Sequence, residues 1–117
     1  MDELMSPLVQ TLTKELTMVV RSAPSSGDYL EAVLSREDLQ RCYALLSTVF
    51  GPPAKAFDAV TTFDSELRKL VDQLGGIRRD QCLFLKQRSD RSVAYATLWP
   101  WASDATRITL KVGLVQP

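Results

Sequence analysis

The sequence predicts an α+β fold: N-terminal helices over about residues 7–74, then a three-stranded antiparallel meander over about 81–115, with the helices packed on one face of the sheet. Two observations carry this expectation. Apolar residues recur every three or four positions through the first two thirds of the chain, whereas the last third holds three strand-length runs rich in β-branched and aromatic residues. A third concerns size: 117 residues, 45% hydrophobic and 24% charged, suit one domain, 1–117, that buries its own core without disulfide or metal staples.

The first helix is expected to start at Ser6-Pro7, with Ser6 as N-cap and Pro7 where a missing N–H costs nothing. Leu8, Leu12, Leu16 and Val19 then form one stripe, with Val9 and Val20 beside it, and the helix is expected to end near Arg21 because 22–28 concentrates helix breakers. Asp28 is placed to cap a short segment over 29–34. Ser35 and Asp38 resemble a capping box at the head of the next helix, whose apolar face is Leu39, Cys42, Tyr43, Leu46, Val49 and Phe50 and whose stop is Gly51-Pro52-Pro53. A further helix carries Phe57, Val60, Phe63, Leu67, Leu70, Val71 and Leu74 at helical spacing, with Thr61 and Thr62 marking a kink or a later start, and closes at Gly75-Gly76.

The three strands are expected at 81–86, 92–99 and 107–114, joined by breaks at 87–91 and 100–106 short enough for hairpins. In the last strand Ile108, Leu110, Val112 and Leu114 alternate with Arg107, Thr109, Lys111 and Gly113, so one face is buried and one wet. The middle strand is ambiguous, with Ala94, Ala96 and Leu98 on one side and Val93, Tyr95, Thr97 and Trp99 on the other; if the small set admits the helices, the aromatic set is left on the open face. The first strand is apolar on both sides, with Cys82 and Phe84 against Leu83 and Leu85.

Histidine is absent, which excludes Ser-His-Asp and Cys-His triads and histidine-ligated metal sites. The two cysteines, Cys42 and Cys82, lie in apolar segments and read as buried free thiols, too few for a four-cysteine zinc site. There is no phosphate-binding glycine pattern and no nucleophile elbow, so the expectation is a protein that is not an enzyme, with no catalytic residue, cofactor or metal. No apolar run reaches the roughly 18 residues of a membrane span, and residues 1–10 lack the order of a signal peptide, which points to a cytoplasmic protein.

Net charge is zero but unevenly placed. Residues 1–77 carry 7 basic and 11 acidic side chains, a balance of −4, and residues 78–117 carry 7 basic and 3 acidic, a balance of +4. The strand region is therefore the basic part, and it also holds the unusual Trp99-Pro100-Trp101, two rigid apolar plates that each offer an N–H donor. An open sheet with two edges and an apolar outer face invites self-association; the alternative is that the N-terminal helix crosses to cover the second face, giving a three-layer monomer. The candidate interface or ligand contacts are Phe84, Arg88, Arg91, Tyr95, Trp99, Trp101 and Arg107. They support, first, a small protein-interaction or regulatory module that docks on a protein partner or on itself as a homodimer, with the arginines at the rim. Second comes a domain binding a small anionic metabolite. Third comes a weak binder of single-stranded nucleic acid, which a pI of about 6.2 and the lack of any recognition motif disfavour.

Overall fold

The computed structural model describes residues 5–16, 18–22, 30–58, 65–73, 76–78, 80–87 and 92–115. The class is α+β, but the antiparallel sheet has five strands rather than three, in the order β1-β2-β5-β4-β3. The C-terminal meander runs through β3 (Cys82–Gln87), β4 (Val93–Pro100) and β5 (Arg107–Val115), each within a residue or so of its expected position and paired antiparallel in sequence order. The two additional strands, β1 (Met18–Ser22) and β2 (Leu30–Ser35), come from stretches that sequence spacing assigns to helix.

The N-terminal helix α1 (Met5–Glu15) stops short of Arg21. Val19 and Val20 sit at helical spacing from Leu16, yet β-branched residues fit a pleated strand equally well, and β2 supplies the ladder that decides between the two. The Arg41 guanidinium of the following helix donates to the Glu15 carbonyl (3.3 Å), satisfying one of the acceptors that the end of α1 leaves open. In β2 the same tertiary override acts on helix-forming Leu, Glu and Ala residues: Leu30, Ala32 and Leu34 share one fully buried side, while β1 and β5 pair with the two edges of the strand. Asp28, the expected cap of this segment, lies outside the described residues.

Ser35 occupies the N-cap position of a 3-10 turn over Arg36–Asp38, but its side chain makes no capping bond and the expected box is not formed. The turn is held instead from the far end of the chain, by Arg36 N–H to the Thr106 carbonyl (2.8 Å) and Arg36 Nε to the Ala105 carbonyl (2.7 Å). Helix α2 (Leu39–Phe50) presents the expected face, with Cys42, Leu46 and Phe50 buried and Leu39, Tyr43 and Val49 packed against the core. Gly51 ends it at φ 80°, where a side chain would be strained, and its N–H reaches the Ser47 carbonyl (2.8 Å). Helix α3 (Ser65–Gln73) begins later than Phe57, which lies in a non-helical turn; Thr61, Thr62, Leu74 and Gly75 fall outside the described residues. Gly76, at φ 83°, donates back to the Val71 carbonyl (2.9 Å).

Helices α1 and α2 cover one face of the sheet. Leu8 and Leu12 of α1, Leu16 just after it, and Cys42, Leu46 and Phe50 of α2 join Leu30, Ala32, Leu34, Cys82, Phe84, Ala94, Ala96, Leu98, Ile108, Leu110 and Val112 in one buried cluster. The small set of β4 faces the helices: Ala96 lies between Phe84 and Val112 in register, leaving room for the Phe84 ring. Both thiols are free and buried, and burial pushes Cys42 up to about 12 and Cys82 up to about 11. No described helix is long and apolar enough to cross a membrane.

Candidate functional site: an aromatic and basic sheet face beside an open edge

Strand alternation and the ladder registers place Tyr95, Trp99 and Arg107 on the face opposite α1 and α2. Phe84 is the exception among the candidates. It pairs with Ala96 on the core face and is fully buried, edge-on to Tyr43 (5.3 Å between centroids) and 6.0 Å from Phe50, so it does not belong to this surface. Leu83, opposite Thr97, and Leu85, opposite Tyr95, are on the second face instead, and Leu83 and Thr97 are buried there, so this part of the face is not the open surface expected from the sequence. Arg88 and Arg91 lie outside the described residues.

One row of this face crosses four strands as Val19, Val33, Thr109 and Trp99. Trp101, just beyond β4, donates its indole N–H to the Thr109 hydroxyl (2.8 Å), which anchors the second indole to the same row. Each indole also carries a cation. Lys111 Nζ stands 4.3 Å from the centre of the Trp99 ring, and the Arg107 guanidinium lies 5.5 Å from that of Trp101. Arg107 Nε is 3.3 Å from the Asp104 carboxylate. The Thr106 hydroxyl (2.6 Å) and amide (3.0 Å) both donate to Asp104; these bonds, with Arg107 adding to them, hold its carboxyl below the usual carboxylate range. The turn before β5 is thereby tied to the exposed arginine.

Toward the middle of the face, Tyr95 stands opposite Gly113, a half-buried ring over a residue with no side chain of its own. Burial, and secondarily the Glu31 carboxylate, pushes its phenol above the ordinary value. Thr97 Oγ1 and Trp99 Nε1 are buried with no hydrogen-bond partner among the described residues, a burden of about 1–3 kcal/mol per group.

At the β1 end of the face a groove of about 580 Å³ opens between Val19 and Val33 on its floor and Arg36, Glu37 and Arg107 on its rim. Val19, on this face, and Val20, which pairs with Ala32 on the helix-covered face, are the large hydrophobic side chains left exposed among the described residues, at 68% and 45%. Sequence spacing had assigned both to a helix stripe, so this part of the surface was hidden; the adjacent valines, favoured in strands, were its one local signal. A second cavity, about 410 Å³, lies among Arg36, Leu39, Phe57, Asp58, Asp80 and Pro100 and carries both signs of charge. Among the described residues no three cysteine or carboxylate side chains converge as metal ligands. No family model, curated protein or solved structure matches the chain.

Proposed function

We propose that the chain is a small protein-interaction module that self-associates through its sheet. One observation carries the reading: the exposed large apolar side chains, Val19 and Val20, are concentrated on an edge strand, whose outer side has no strand partner among the described residues. The adjoining groove supplies an apolar floor with a charged rim, the layout of an interface core and its margin. Two cysteines held as free thiols suit a reducing compartment such as the cytoplasm. Light scattering across a concentration series tests the reading: the expected mass rises from the 13.1 kDa of one chain toward twice that value. A mass that stays at one chain throughout overturns it.

The groove also favours a second reading, a small anionic ligand held by Arg36 and Arg107, because 580 Å³ falls within the roughly 300–1,000 Å³ of ligand clefts. A thermal-shift screen of small carboxylates and phosphates is then expected to raise the melting temperature of the wild type but not of Arg107→Ala; no shift from any of them removes this reading. Binding of single-stranded nucleic acid is less well supported. Lys111 and Arg107 already occupy one side of each indole, the surface on which a base would stack.

A further inference from the structure

The two edges of the sheet differ. At β3, Lys55 and Leu83 exchange backbone hydrogen bonds (3.2 and 2.9 Å), so that edge already carries a short additional pairing. At β1, the ladder to β2 uses one side of the strand, and the other side has no strand partner among the described residues. We propose that β1 pairs antiparallel with β1 of a second copy, about a twofold axis normal to the sheet at Val19, to form one continuous ten-stranded sheet. This rests on the self-association reading above and adds its edge and register.

The register follows from the pleat. A twofold axis normal to the sheet keeps the two faces of both copies aligned, so opposed residues must point to the same side, and the axis must pass through a residue rather than between two. Centred on Val19, the pairing sets Val19 against Val19 and Met18 against Val20, so each pair within 18–20 is apolar. Centred on Val20, it would set Met18 against Ser22 and run into the bulge between Val20 and Ser22, where regular spacing is lost. The Val19 register is the one that the strand accommodates.

The pairing is isologous and spends the β1 edge of both copies, so growth through that edge ends at two chains and not in a fibre.

Cysteine cross-linking of the full chain tests the register. Opposed residues of an antiparallel pair have Cα atoms about 4.5–5.5 Å apart, within the roughly 4.4–6.8 Å range of a disulfide. Under a mild oxidant, Val19→Cys is expected to give a reducible covalent dimer and Val20→Cys none, whereas a mixture of Met18→Cys with Val20→Cys cross-links. Wild-type protein is the control, since Cys42 and Cys82 are buried and have raised pKa values. Val19→Lys, at a position 68% exposed and so tolerant of the change, is expected to weaken dimerisation roughly tenfold or more while leaving the melting temperature of the monomer unchanged. A wild type that dimerises while Val19→Cys fails to cross-link, or while Val20→Cys cross-links as well, overturns this interface and leaves self-association standing. A wild type that is monomeric throughout overturns both.

Discussion

Replacing Phe84 with alanine is expected to lower the unfolding free energy by about 3–5 kcal/mol, the range found when a fully buried aromatic ring is truncated. The size of the effect comes from position. Phe84 is fully buried in the cluster that joins both covering helices to the sheet, with Tyr43 edge-on at 5.3 Å and Phe50 at 6.0 Å. Its cross-strand neighbour is Ala96, and alanine offers no bulk with which to collapse into the space left behind. For a chain of this length, the loss corresponds to a fall of roughly 10–20 °C in melting temperature. Thermal and denaturant unfolding of the purified variant check it. A change below about 1 kcal/mol would mean that the ring is not packed between α2 and the sheet.

The second large effect concerns a polar residue. Lys55 is 4% exposed, and its ammonium donates to the Gln81 carbonyl (2.6 Å) and the Ala56 carbonyl (2.9 Å). Lys55→Ala removes both donors and leaves the carbonyls without them, at about 1.5–3 kcal/mol for each hydrogen bond from a charged group, so a total near 3 kcal/mol is expected. Lys55→Met keeps most of the aliphatic stem and loses only the donors, so it should recover roughly 1 kcal/mol of packing relative to alanine. Urea unfolding of the two variants separates the terms. Equal stability of alanine and wild type would show that the ammonium is not holding the loop beside β3.

The sequence made the C-terminal meander legible because each of its strands states its character locally. The alternation of Ile108, Leu110 and Val112 with Arg107, Thr109 and Lys111 has one reading, and the breaks on either side of β4 are hairpin-sized. Helix α2 was equally plain, with an apolar face every three or four residues and a glycine at its stop. The N-terminal hairpin was not. Leu16, Val19 and Val20 satisfy a helical spacing, and Leu30–Ser35 is built from helix formers; what makes them strands is β5, far along the chain. The same non-locality governed the candidate surface. Period-two alternation put Tyr95 and Trp99 together without help, whereas choosing between Leu83 and Phe84 needed the pairing of Phe84 with Ala96. Val19 and Val20 became visible as surface only once their stretch proved to be an edge strand.

The pairing of β2 with β5 also dictates how the sheet comes into being. Leu30 meets Val112 and Ser35 meets Arg107, so the β1–β2 hairpin and the β3–β5 meander are two local units that join along a single seam. Each unit can form early from neighbouring residues, but the seam must close a loop containing α2 and α3, and such long-range pairing slows folding toward milliseconds to seconds. During synthesis β2 emerges long before its partner does. Until β5 arrives, the buried side of β2, Leu30, Ala32 and Leu34, has no neighbour along that seam, which makes the nascent N-terminal half the part of this chain most exposed to aggregation or chaperone capture.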